Sequence, residues 1–226
     1  MPTMDYRDSN NEPIPGVTTI LQGAEDQSGL VAAANLVGLK GTRIYHLKDR
    51  KTGAVREIGE WSRAGDIGTC AHQMIQDHIQ GTVFDPSQYP EEVVRLSHAP
   101  YGSFLAWREG KRLEGACEVS LTHPEGFGGT IDFIGKSEIL DWKTGSDYIW
   151  KSPAKLYGQL AAYKYLAEHH GYAVDRVTVV RFPKEGTQAE ELTIEPGPKL
   201  DAALEMFLSL LKAWKARKII NQKDKK

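Results

Sequence analysis

"GGTIDFIGKSEILDWKTG", residues 128–145, reads as two short strands around a polar turn, yet it sets Asp132, Asp141 and Lys143 among residues expected in a core. Ile131 and Phe133 bracket the first aspartate; Leu140 and Trp142 bracket the second. Leaving a buried charge without its partner costs several kcal/mol, about 3 to 5 in mutational tests, so these charges need partners or a task. Antiparallel pairing brings Asp132 and Asp141 to one edge of the sheet. Alternation along the second strand puts Lys143 on the same face as Asp141. Two carboxylates and an ammonium at one spot suit a hard cation of the Mg²⁺ type, which takes one or two carboxylates and keeps waters. On spacing alone, a pattern this short fits an exposed Asp–Lys salt bridge better.

Working outward, residues 113–145 form three strands, "ACEVSLT", "GGTIDFIG" and "SEILDWKTG", separated by glycine-rich or polar turns. A helix is predicted from Ser152, a good N-cap followed by Pro153 at the first helical position, as far as Gly171. "RVTVVRFP" and "AEELTIEP" supply two more strands, and a final helix covers about 198–219. Upstream, Ile67, Ala71, Ile75 and Ile79 recur every four residues in a helix over 62–80. A second helix spans about 91–110, with Val94, Leu96, Phe104, Leu105 and Trp107 available for the core and Pro100 as a potential break. "RIYHLKDRKTGAVREIGEW" alternates about "DRKTG" as a hairpin, "GLVAAANLVGLKG" is a short helix between glycines, and residues 1–13 are expected to be loosely attached. The sum is one α/β domain over residues 1–226, a central mixed sheet flanked by helices.

Composition narrows the class. The chain has 226 residues, 40% of them hydrophobic, enough for a sizeable core. No apolar run approaches the roughly 20 residues of a membrane span, and the polar opening lacks a signal-peptide core, so a cytoplasmic protein with no membrane partner is expected. Cys70 and Cys117, the only cysteines, read as reduced thiols, too few for an iron–sulfur cluster. The formal charge of −2 conceals a balance of +5 over residues 199–226 and −7 over residues 1–198. Such a basic end fits phosphates, and fits a solvated helix terminus with a frayed tail as well.

Two helices carry further polar groups at informative spacing. "YGQLAAYKYLA" places Gln159 and Tyr163 one turn apart on one face, where both can reach phosphate oxygens. "GDIGTCAHQMI" places His72 at the border of the apolar arc, with Gly68 a turn before it leaving space over the imidazole; His78 falls nearer the centre of the arc and reads as a core residue.

Taken in order, "GTCAH", "GGTID", "LDWKTG" and "QLAAY" resemble the signature of the PD-(D/E)XK nuclease superfamily, and within it the RecB-like exonucleases. The opening "IPGVTTIL" is similar to the start of phage and mitochondrial members. The resemblance implies a restriction-endonuclease-like core over about 62–196, with the basic helix and tail at about 198–226 appended. It implies a Mg²⁺- or Mn²⁺-dependent DNA exonuclease serving recombination, replication or DNA turnover. DNA, single-stranded or with free ends, is the implied partner, alongside recombination or replication proteins. Asp132, Asp141, His72 and the backbone carbonyl of Trp142 would hold the metal; Lys143 would position and activate the attacking water. Gln159 and Tyr163 would organise the site and hold the DNA backbone, with Lys151 and Lys155 beside them on phosphate. Glu118 matches a glutamate often found on the preceding strand, though its alternation with Ala116 and Ser120 fits an exposed position as well. A structure-specific or restriction-type endonuclease, or an inactive DNA-binding module, remains open on sequence, although the module has no need of the Asp132–Asp141–Lys143 trio.

Overall fold

The computed structural model describes residues 5–22, 45–48, 55–58, 60–145 and 153–221. The chain is α/β around a five-stranded mixed sheet. Its strands are β5 (Gly115–His123), β6 (Phe127–Gly135), β7 (Glu138–Thr144), β8 (Arg176–Phe182) and β9 (Glu190–Ile194), in that spatial order. Only β7 and β8 run parallel; the other neighbours are antiparallel. The parallel pair needs a crossover, supplied by α4 (Pro153–His169).

Three helices lie on one face: α1 (Val17–Leu21), α4 and α5 (Pro198–Ile220). Their Leu21, Leu160, Leu166, Phe207 and Leu211 bury against Ile131, Ile139, Val177 and Val179 of the sheet. The other face takes α2 (Glu60–Gln80) and α3 (Glu91–Arg108), whose Ile75 and Phe104 meet Phe133, Leu140, Trp142, Val180 and Phe182. Both faces of β8 are thus covered, which is why "VTVVRF" reads as a nearly unbroken apolar run. Helix α4 is buried almost all round because it lies between the sheet and the α1/α5 layer. A Cβ at Gly158 would sit 2.9 Å from both Leu21 Cδ2 and Met206 Cε, and one at Gly129 would sit 2.9 Å from Tyr163 Cε1.

Several expectations need correction. Residues 6–14 are not loose: β1 (Tyr6–Arg7) pairs with β2 (Pro13–Ile14), and Gly16 bridges to Gly128 of β6. Helix α3 runs straight through Pro100, which is itself buried. Pro100 forfeits one helical hydrogen bond, but the flanking turns stay anchored: Ser97 Oγ donates to the Ile67 carbonyl and Phe104 is fully buried. Leu105 faces outward at 38% exposure rather than joining the core. Gly68 leaves no open space either, since a Cβ there would lie 2.7 Å from Thr144 Oγ1; the glycine lets α2 approach β7. The predicted hairpin is present as β3 (Tyr45–Lys48) paired with β4 (Val55–Ile58). The predicted helix over 29–41, Lys151 and Ser152 lie outside the described residues.

Phe104 is the hub of the α2/α3 face, with ring contacts to His78, Tyr101, Trp107, Trp142 and Phe182. Phe104→Ala is expected to lower unfolding free energy by about 3 to 5 kcal/mol, the cost of emptying a large aromatic site. Urea unfolding of the two proteins measures it; a loss below about 1 kcal/mol would mean that the cluster collapses to fill the space.

Candidate active site

Strands β6 and β7 pair only at Phe133↔Leu140 and Ile134↔Ile139, then part. At the fork, Asp132 Oδ2 accepts the Trp142 backbone N–H at 2.7 Å, so a side chain replaces the next ladder bond. Strand β7 continues against β8 as far as Thr144, which carries Asp141 and Lys143 into the opening. Ile139 packs on the α4 side and Leu140 and Trp142 on the α2 side, so alternation aims Asp141 and Lys143 at α4.

There the two meet Gln159. Lys143 Nζ lies 2.7 Å from Asp141 Oδ2, a charge pair rather than an aligned hydrogen bond, and donates to Gln159 Oε1 at 3.2 Å. Gln159 Nε2 donates to Asp141 Oδ1 at 3.3 Å and to the Tyr163 hydroxyl at 3.0 Å. A lysine can only donate, so it fixes which end of the amide faces it. Gln159 and Tyr163, expected to hold the DNA backbone, are buried and turned toward the carboxylates. Lys155 is half-buried one turn before Gln159, and Lys164 pairs with Glu168.

From the other side of the fork, α2 delivers His72. Its Nδ1 is buried without a hydrogen-bond partner, 3.7 Å from Asp132 Oδ1, too far for a hydrogen bond. Glu118 completes a group: ligand atoms of His72, Glu118 and Asp132 all lie within 4.8 Å of one another. Glu118, a possible member on sequence, belongs to this group, while Asp141 is engaged by Lys143 and Gln159.

A break in alternation brings Glu118 there. Cys117 and Phe133 pack on the α2 side, whereas Val119, Leu121 and Ile131 pack on the α4 side. The switch falls on Glu118 and Asp132, which face each other but drop out of the ladder between Cys117↔Phe133 and Val119↔Ile131. Glu118 has φ +52°, a conformation uncommon for a residue with a side chain and typical of strained functional positions. No period-two reading of "ACEVSLT" could reveal it.

The electrostatics are those of a site short of positive charge. Burial raises the Asp132 pKa to about 6, against the opposing pull of Lys143 and the Trp142 N–H. Burial, then Asp132, raises Glu118 to about 7. Asp141, 1% exposed, is also raised by burial, with Lys143 opposing. Burial works against the Lys143 ammonium, but Asp141 and Asp132 outweigh it and hold the proton on. His72 is lowered to about 4, by burial and then Lys143, and is therefore a neutral imidazole near pH 7. With all three carboxylates ionised, as a bound cation would favour, one ammonium leaves two negative charges, matching one divalent cation. The orphaned His72 Nδ1 and two converging carboxylates fit that ion; a buried polar atom without a partner otherwise costs about 1 to 3 kcal/mol.

A model of the PD-(D/E)XK nuclease superfamily matches residues 42–226, and the chain belongs to that superfamily. Membership implies a nuclease with a divalent-metal requirement and DNA as substrate. No protein of curated function matches the sequence. Solved structures to which the chain is similar include a putative exonuclease from Eubacterium rectale, at 14% identity and TM-score 0.43 over 65% of this chain and 68% of that one. LHK-Exo in complex with dAMP follows at 15% identity and TM-score 0.40, over 69% and 85% of the two chains. A phage-related exonuclease from Haemophilus somnus 129PT aligns at 13% identity and TM-score 0.40, over 77% and 88%. Among the described residues, no helix is long and apolar enough to cross a membrane.

The raised Glu118 pKa makes a signed prediction for metal-free protein. A carboxyl raised from 4.5 to about 7 costs the fold nothing below pH 4.5 and its full penalty above about pH 7. In chelator, Glu118→Gln should therefore melt higher than wild type at pH 8 and alike near pH 4.5. With excess Mn²⁺ at pH 8 the order should reverse. A difference that does not change with pH would place Glu118 outside the charged cluster.

Proposed function

We propose that the chain is a Mg²⁺- or Mn²⁺-dependent DNA exonuclease that hydrolyses phosphodiester bonds from free ends, in recombination, replication or DNA turnover. The observation that carries the nuclease chemistry is the His72–Glu118–Asp132 group set against the Asp141–Lys143–Gln159 chain across one strand fork. The preference for ends is supported by the four motifs in the order seen in RecB-like exonucleases.

His72, Glu118 and Asp132 would hold the ion, with Asp141 and the Trp142 carbonyl at its border. A bound divalent cation supplies a water of lowered pKa and offsets charge on the phosphate. Lys143 keeps its proton in this setting, so its part is to donate hydrogen bonds rather than to act as base. One of its N–H groups donates to Gln159 and the ammonium is paired with Asp141; a remaining N–H would serve the attacking water or a phosphate oxygen. Its side chain is 24% exposed where that of Asp141 is 2%, so Lys143 is the member of this pair closer to solvent. Gln159, braced by Tyr163, holds Lys143 and Asp141 at fixed separation. Lys151 and Lys155 would contact phosphate alongside.

Lys143→Ala is expected to cut single-turnover cleavage by roughly two to three orders of magnitude, the cost of removing one positioned hydrogen-bond donor, while Mn²⁺ still binds. A plain salt bridge on a strand would contribute only about 0 to 1 kcal/mol and leave turnover nearly unchanged. Turnover within a few-fold of wild type would falsify the role given to Lys143.

End dependence is checked separately, by incubating linear DNA and a closed circle of the same sequence with Mg²⁺ or Mn²⁺. The linear form should be consumed to mono- or short oligonucleotides while the circle survives; rapid linearisation of the circle would indicate an endonuclease instead.

A further inference from the structure

The N-terminal residues lie against the strand pair that carries Glu118 and Asp132. Tyr6 sits in a crevice that two glycines make: a Cβ at Gly128 would fall 2.5 Å from Tyr6 Cγ, and one at Gly16 would fall 3.0 Å from Tyr6 Cε2. The segment is pinned there by the Gly16–Gly128 bridge and by the Gly128 N–H, which donates to the Pro15 carbonyl at 3.0 Å. The Tyr6 hydroxyl shares a 2.9 Å hydrogen bond with Thr130 Oγ1, which shares another at 2.8 Å with Ser120 Oγ. Ser120 and Thr130 are cross-strand partners, each two residues from Glu118 or Asp132 respectively. The three hydroxyls thus form a chain across β5 and β6 immediately beside the point where the ladder lapses and Glu118 adopts φ +52°.

A strained residue keeps its conformation only when its surroundings over-determine it. On one side of Glu118 the ladder resumes at Cys117↔Phe133; on the other it resumes at Val119↔Ile131, and the next pair is the hydroxyl-linked Ser120↔Thr130. We propose that Tyr6 is a positioning residue for the metal group: through Thr130 and Ser120 it locks β5 to β6 beside Glu118, and so holds the Glu118 carboxylate on His72 and Asp132. The proposal rests on the reading of His72, Glu118 and Asp132 as the metal group. It gives Tyr6 a task at the site although it lies more than a hundred positions from Glu118 in sequence.

Calorimetric titration of Mn²⁺ into the full chain, without DNA, tests this using wild type, Tyr6→Phe, Glu118→Gln and the double variant. Tyr6→Phe keeps the ring over Gly128 and removes only the hydroxyl. It should weaken Mn²⁺ binding about three- to tenfold, the size of one lost hydrogen bond. In the Glu118→Gln background the same change should add nothing, because the effect runs through the carboxylate. Thermal melting in chelator verifies that each variant is folded. If wild type binds no Mn²⁺, the metal reading itself fails. If wild type binds but Tyr6→Phe binds equally well, with or without a lower melting temperature, Tyr6 only packs and this inference alone is overturned. Equal losses in both backgrounds would overturn it too, since Tyr6 would then act without Glu118.

Discussion

One hydrogen bond organises the site: the Trp142 backbone N–H donates to Asp132 Oδ2 at 2.7 Å where β6 and β7 separate. Antiparallel strands that keep pairing leave no room between them. Once the next bond is made to a carboxylate instead of a carbonyl, β6 can turn away while β7 stays on β8. The gap so made admits α2 and His72 from one face and Gln159 from the other. A carboxylate used in this way is both a structural acceptor and half of a charge cluster, and the fold pays for that double use by burying it at 5% exposure with a pKa near 6.

The two halves of the cluster have different characters. On the α4 side, Asp141, Lys143, Gln159 and Tyr163 form a chain of contacts in which Lys143 meets Asp141 Oδ2 as a charge pair and Gln159 bonds the rest. On the α2 side, His72 Nδ1 lacks a hydrogen-bond partner and two carboxylates face it. The first half carries its own cation; the second has none within its group, and a metal ion would supply one. That asymmetry of charge separates a group suited to bind an ion from one that aims an ammonium.

Much of this was legible in the sequence because strands and helices announce themselves through local patterns. The five sheet strands, α4 behind Pro153 and the long α2 follow from alternation, a four-residue period and turn residues. The spacing of Asp141 and Lys143, and of Gln159 and Tyr163, is geometry inside a single element, so their shared faces could be read directly. His78 was legible in part: it bonds the Tyr101 hydroxyl at 2.9 Å and packs on Phe104, but at the half-buried edge of the core rather than inside it.

What stayed hidden depends on distant parts of the chain. Glu118 could not be placed because its strand changes faces at that residue, and a period-two rule assumes that no strand does. Pro100 reads as a helix break, yet contacts with α2 and the aromatic cluster outweigh one missing bond. Tyr6 sits in a polar opening with no periodicity, and its seat exists because Gly16 and Gly128 lack side chains. Local pattern records which face a residue shows within its own element. Which strand yields, which helix survives and which far segment fills a gap are settled by packing free energy shared among elements, and no window of the sequence contains that sum.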